Sequence, residues 1–371
     1  KSGETITFNV PYKEGYIFKG WINDSKYYTD EFGKLLNTKS ITSDLELTPL
    51  FISEDKAYTL INDNLLTFGI YPQTLIDTSY DNNLSSISFD DTWLPFDYYD
   101  ENNERYMFYK DFDIDFDGIY DYRGIYFTKY KPFVSNECPY IGQADEYGYN
   151  QYNNGYFTNN MYFFKYEPII WKILLSDDEK IFIVSNLIIE STEYQNGDFD
   201  YSMFEHSGGL GYPNNYSLSY IRSFINDIFL NIAFNNDEQN IINVSLVDNG
   251  SSSYTDNYNE DELNEYVCEN TYDKLFLLSY FDIYNYLTIE VPDQIIPASK
   301  DIGMAKGTDY AKCLGLKISY QSENEYSSYW LRSPDRISNS VHTKNYTTVS
   351  GAIANETRVG VRIGCYINIE K

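Results

Sequence analysis

The chain has 371 residues, with 27 Lys plus Arg against 56 Asp plus Glu and a net charge of −29. At roughly 150 residues per domain this length predicts two to three domains, while the charge opposes contact with nucleic-acid phosphates and attraction to anionic membrane surfaces. No stretch nears the roughly 18 unbroken apolar positions of a spanning helix, and an aromatic content of 18% supplies the buried area that acidic disordered chains lack.

Lys1 to Thr5 have neither the basic start nor the apolar stretch of a signal peptide, and the absence of an initial Met predicts a piece of a longer protein whose export signal or anchor lies outside it. Residues 4–10 and Gly15 to Trp21 alternate polar and apolar side chains as strands do, and Ser40 to Leu47 repeat the pattern before Pro49, Leu50 and Phe51. Together they predict a self-contained module over residues 1–54. Residues 53–63 are polar and read as a linker before a new start at Leu66, so a second domain is expected over 55–371. An acidic insertion around 76–160 carries two strand candidates, Arg105 to Lys110 and Gly124 to Tyr130. Glu167 to Leu175, a turn at Ser176 to Asp178, and Lys180 to Ser185 predict an antiparallel hairpin. Ser217 stands before Leu218, Ile221, Ile225, Ile228 and Phe229, a spacing that predicts one buried helical face with Ser217 as N-cap. Shorter helices are expected from Asn236 and over Asp309 to Leu314, the latter stopped by Gly315. Residues 248–262 read as a flexible loop. Strands return at Tyr329 to Pro334, Tyr346 to Val349 and Val359 to Ile367.

The segment G-Y-I-F-K-G-W at 15–21, followed by I-T-S-D-L-E-L at 41–47, resembles the internalin B-type (Listeria-Bacteroides) repeat, although Leu50-Phe51 replaces that repeat's usual closing Lys-Trp. The resemblance implies a small β-grasp-like module. Further along, F-G-I-Y-P-Q-T, E-P-I-I-W-K-I-L-L, Y-I-R-S-F-I-N, D-K-L-F-L-L-S, T-D-Y-A-K, W-L-R-S-P and G-V-R follow in order from 68 to 362. Together they are similar to a bacterial extracellular family of unknown function that distantly resembles the formylglycine-generating-enzyme branch of the C-type-lectin fold. The implied class is α+β: a β-grasp-like repeat followed by a C-type-lectin-like mixed domain rich in antiparallel strands and long loops.

Asp113, Asp115, Asp117 and Asp121 occupy positions 1, 3, 5 and 9 of a calcium loop, with Gly118 at position 6 and the Ile119 carbonyl as a further ligand. Position 12 is Gly124 rather than Glu, and strands are expected on both sides. A single-loop Ca2+ site is therefore expected in place of an EF-hand, against the alternative of an acidic turn holding no ion. The two histidines, His206 and His342, read as surface residues, and no elbow motif supports a serine triad. Cys138, Cys268, Cys313 and Cys365 are scattered and read mainly as buried free thiols, with one long-range disulfide as the alternative. The oxidase relatives of the fold use a close cysteine pair to hold copper, and no matching pair is present. Trp330 to Pro334 and Gly360 to Arg362 read as core and buried ion pairs. A polar loop from Asp335 to Ala354 is where a lectin-like fold presents ligand contacts, with Arg336, His342, Asn345 and Tyr346 as candidates.

The resulting expectation is a secreted or cell-surface bacterial protein that binds a glycan or a host or bacterial surface protein in adhesion, stabilised by calcium and without enzymatic activity. It is expected to touch neither nucleic acid nor membrane interior. A formylglycine-generating-type oxidase, or another extracellular enzyme, is the alternative.

Overall fold

The computed structural model describes residues 6–37, 41, 44–78, 82–96, 105–131, 150–195, 212–250, 266–287, 289–291, 294–296, 303–319, 325–335, 340–344 and 349–369. Strands outweigh helices, 43% to 16%, and the fold is a β-rich α+β one. Two compact units emerge, residues 1–170 with 308–313, and residues 171–307 with 314–371. Among the described residues no helix is long and apolar enough to cross a membrane.

The first unit opens on a three-stranded antiparallel sheet of β1 (Tyr16–Asn23), β2 (Lys26–Tyr27) and β3 (Thr48–Ser53), ordered β2-β1-β3. A bulge interrupts the β1–β3 register between Phe18 and Gly20. Gly20 takes φ +141°, and a Cβ there would lie 2.3 Å from the Thr29 carbonyl oxygen, so the second glycine of G-Y-I-F-K-G-W answers a close backbone approach. The third strand lies later than the alternation of 40–47 predicts. It begins at Thr48 and includes Pro49, which an edge strand tolerates because one side of its backbone needs no ladder bond. Residues 6–10 also depart from expectation, contributing an isolated bridge from Thr7 to Lys34 in place of a strand.

The expected linker is a strand. β4 (Tyr58–Asn62) pairs with β5 (Leu65–Leu75), and Tyr58 and Thr59 are buried. Ile22, Tyr27, Leu36 and Leu50 cluster with Ile170, against which Ile61, Leu65 and Ile76 pack. Each such side chain contributes on the order of 1.5–3 kcal/mol when withdrawn from water. Tyr27 Oη donates to the Pro168 carbonyl at 2.8 Å. The expected boundary after residue 54 thus falls inside the first unit, within a shared apolar cluster. A second sheet runs β6 (Leu94–Pro95), β7 (Met107–Phe112), β8 (Tyr122–Phe127) and β9 (Met161–Ser176), with β5 also against β9.

The second unit takes up β9 from Trp171 onward, where it forms the expected hairpin with β10 (Lys180–Ser185). The turn is tied by Asp177 Oδ1, which accepts from the Glu179 and Lys180 N–H groups, both at 2.8 Å. After β11 (Glu190–Ser191) comes the helical segment 216–233. Its caps are Asn215 and Ser219 rather than Ser217, since Ser219 accepts from Arg222 N and Tyr220 opens the helix. Phe224–Phe229 is a π-helix. That wider turn breaks the 3.6-residue spacing: Ile221, Ile225 and Phe229 are fully buried, whereas Leu218 and Ile228 are exposed. The helix Asn236–Ile241 begins where the sequence predicts, and it carries a full capping box from Asn235 and Glu238. Beyond it lie β12 (Ser245–Val247), β13 (Thr271–Asp273) and β14 (Phe276–Leu277), then the helix Tyr280–Leu287, β15 (Ile289–Val291), β16 (Gln294–Ile296), β17 (Ala305–Lys306) and β18 (Tyr326–Ser327). The chain closes with β19 (Tyr329–Pro334), β20 (Ser340–Lys344), β21 (Val349–Ile353), β22 (Gly360–Val361) and β23 (Ile363–Asn368). β23 lies between β10 and β14, and a separate sheet is ordered β11-β22-β19-β20-β21. The loop expected at 248–262 lies outside the described residues from 251 onward.

Candidate functional site

β7 and β8 pair from Met107↔Phe127 to Phe112↔Tyr122, which makes residues 113–121 the tip of a β-hairpin. Its acidic spacing therefore sits between strands, as expected. Gly118 has φ +91° and Phe116 φ +62°, two left-handed residues that reverse the chain sharply. The aspartates brace their own turn: Asp113 Oδ2 accepts from Gly118 N at 2.9 Å, Asp115 Oδ1 from Asp117 N at 3.2 Å, and Asp117 Oδ1 from Ile119 N at 2.8 Å. One oxygen each from Asp113, Asp115 and Asp117 falls within 4.8 Å of the others. Ligands 2.3–2.6 Å from one calcium ion lie up to roughly 5 Å apart, so the spread fits. Asp113 Oδ1 is buried and accepts no hydrogen bond.

Asp121 does not join that cluster. Its Oδ2 accepts from Ile114 N at 2.7 Å, closing the base of the loop. Burial pushes its carboxyl above the ordinary value, and the Asp115 charge adds to the rise while the Ile114 N–H opposes it. Ile119 is exposed and held through its N–H to Asp117. The local pattern thus converges three of the four expected carboxylates.

Most of the described residues of the expected ligand loop at 335–354 are paired backbone. β20 and β21 align from Ser340↔Ile353 to Lys344↔Val349. His342 is a correction: it lies on β20, only 5% exposed, with its ring 5.5 Å from Tyr280. Its polar neighbours concealed a strand position. Arg336, Asn345 and Tyr346 lie outside the described residues, as do His206 and Cys138. Cys313 and Cys365 are buried free thiols and Cys268 a half-buried one. Burial raises the Cys313 and Cys365 thiols far above their ordinary value, which keeps them protonated and poor ligands or nucleophiles.

The ordered motifs of the second unit meet in space as a buried polar network. Trp330 Nε1 donates to the Thr192 carbonyl at 2.8 Å. Arg332 Nη1 lies 2.6 Å from Asp282 Oδ2 and 2.7 Å from the Leu277 carbonyl. Arg222 Nε donates to Asp273 Oδ1 at 2.8 Å, and Asn226 makes a two-way amide pair with the Leu275 backbone that holds the π-turn. Trp330 and Arg332 of W-L-R-S-P match the expected core and ion-pair role, whereas Arg362 of G-V-R, expected in a buried ion pair, bonds to carbonyls and a phenol.

Sequence reasoning missed Glu167 in the first unit. It is 1% exposed, its Oε2 accepts from Thr74 N at 3.2 Å and Thr74 Oγ1 at 2.8 Å, and its Oε1 has no partner. Burial raises its carboxyl to about 8, opposed by the Thr74 hydroxyl and Lys165. A lone acid inside the apolar run of β9 was the available signal. No curated protein and no solved structure matches the chain. The family model described as Domain of unknown function (DUF6273) matches residues 178–369, more than half of the sequence, and the chain belongs to that family.

Proposed function

We propose that the protein is an extracellular binding protein of the bacterial surface, recognising a glycan or a surface protein, with the 113–121 hairpin tip held by calcium. The C-type-lectin-like and internalin-repeat resemblances of the sequence favour adhesion. The observation that carries the calcium reading is the convergence of Asp113, Asp115 and Asp117 within 4.8 Å around a buried, unbonded Asp113 oxygen. Like charges this close repel, and a divalent ion removes the repulsion while supplying the missing partner. Asp113, Asp115 and Asp117 would hold the ion; what it supplies is rigidity at the tip of β7 and β8. Partly exposed rings in the same unit, Phe89, Tyr152 and Phe157, offer amphipathic contact faces.

Calorimetry with calcium tests the metal, and glycan and surface-protein arrays with and without calcium test the role. The expected result is a rise in melting temperature, amounting to about 2.7 kcal/mol at a hundredfold excess over Kd, that is absent in Asp115→Ala. Magnesium should act more weakly, because it demands a tighter octahedral shell. No heat at millimolar calcium with unchanged melting would reduce the loop to an acidic turn. Empty arrays in a calcium-loaded, folded protein would overturn the binding role.

A further inference from the structure

Arg362, the last residue of G-V-R, is 0% exposed in the second unit. Its Nε donates to the Ser185 carbonyl at 2.8 Å, and its Nη1 reaches the Gly303 carbonyl at 3.3 Å and Tyr329 Oη at 3.2 Å. All three acceptors are neutral. Tyr329 cannot supply a negative charge, because its hydroxyl donates to the Gly303 carbonyl at 2.6 Å and burial raises its ionisation above the ordinary value. Nη2 is buried with no hydrogen-bond partner. The neighbouring charge is a second cation: Lys344, directly opposite Tyr329 across β19 and β20, is 0% exposed, and burial together with the Arg362 charge brings its ammonium down to about 8.

A guanidinium does not deprotonate in proteins, so Arg362 cannot shed its charge as an amine can. Elsewhere in the same unit the buried Arg332 meets a carboxylate, Asp282, as does the half-buried Arg222 with Asp273. Among the described residues no carboxylate bonds to Arg362. Water at Nη2 would satisfy an N–H bond and leave the charge uncompensated, at a cost of several kcal/mol. We propose that the Nη2 edge of Arg362 binds a small inorganic anion of the halide class inside the second unit. The full burial of Arg362 favours an ion of this size over an organic acid.

Crystals of the whole chain grown with bromide as the main anion test this directly. An anomalous peak in contact with Arg362 Nη2 is expected; ordered water or no density at that position in a well-diffracting crystal would overturn the proposal. In solution, replacing gluconate by chloride at matched ionic strength should raise the melting temperature saturably. Arg362→Met should lose that response, and Arg358→Met, a half-buried arginine in the same unit, should keep it. Equal melting of the unaltered protein in the two salts would also count against the site, whether or not Arg362→Met folds.

Discussion

Each unit holds a buried arginine, Arg123 in the first and Arg362 in the second, and the two meet their charge in opposite ways. In the first, Arg123 is 3% exposed and meets Asp111 through two bonds, Nε to Oδ1 at 2.7 Å and Nη2 to Oδ2 at 2.8 Å. Tyr166 donates to the same carboxylate at 2.9 Å, and the Tyr109 ring lies 4.7 Å from the guanidinium. In the second, Arg362 bonds to carbonyls and a phenol, and to no carboxylate among the described residues. The first unit also buries a charge that it can neutralise, because Glu167 takes up a proton where no cation bonds to it. Burial alone therefore does not dictate a salt bridge. A carboxyl can discharge by protonation, a guanidinium cannot, and only the latter calls for an external counter-ion.

Breaking the compensated side of this contrast should have the largest effect. Asp111→Asn leaves Arg123 buried and unpaired, and the urea midpoint should fall by the equivalent of about 3–5 kcal/mol. A loss below about 1 kcal/mol would mean that the pair carries no more than a surface bridge and that the two arginines are not different in kind.

Glu167 sharpens the comparison through pH. Its carboxyl is raised from 4.5 to about 8 by burial, with Asp309 adding to the rise and Lys165 and the Thr74 groups opposing it. The folded state therefore keeps a proton that the unfolded chain releases above pH 4.5. This contribution is complete below pH 4.5, falls away as pH rises through 8, and is worth a few kcal/mol at about 1.4 kcal/mol per unit of pKa separation. Melting of the unaltered protein relative to Glu167→Gln should consequently decline between pH 5 and pH 8.5. Parallel curves for the two proteins would show that Glu167 is ionised when folded.

The smallest effect belongs to a pair that water still reaches. Lys165 Nζ lies 3.0 Å from Glu31 Oε2, and the Glu31 side chain is 32% exposed. Glu31→Gln should cost about 0.2–1 kcal/mol, diminishing as salt is added. A loss as large as that of Asp111→Asn, insensitive to salt, would show that partial exposure does not set the scale.

What the sequence could show was local. The β9–β10 hairpin followed from a β-rich run on either side of a polar turn, and the short helix from Asn236 from its polar, acidic opening residues. The acidic hairpin tip was legible for the same reason, since Asp113, Asp115 and Asp117 lie at alternate positions and need no other part of the chain to converge. Asp121 was misjudged because its bond to Ile114 N competes with a ligand role, a choice that spacing does not reveal. Ser217 failed as an N-cap because Asn215 and Ser219 take that role, and the buried face departed from its predicted spacing at the π-turn Phe224–Phe229, held by Asn226 against Leu275, 49 positions away. His342 looked like a loop residue until β19 and β21 closed on either side of it.

The sequence by itself determined the excess of acid, the β-rich character, the hairpins and the carboxylate cluster, because each depends on composition or on neighbours within a turn or two. Only the tertiary structure decided where buried charge is compensated. Arg332 finds Asp282 fifty residues away and Arg362 finds Ser185 at a separation of 177, and that difference between a carboxylate and a carbonyl arises from which strands lie side by side. A linear pattern carries the charge of each side chain, whereas the dielectric and the partner that fix its energy exist only once the chain has folded.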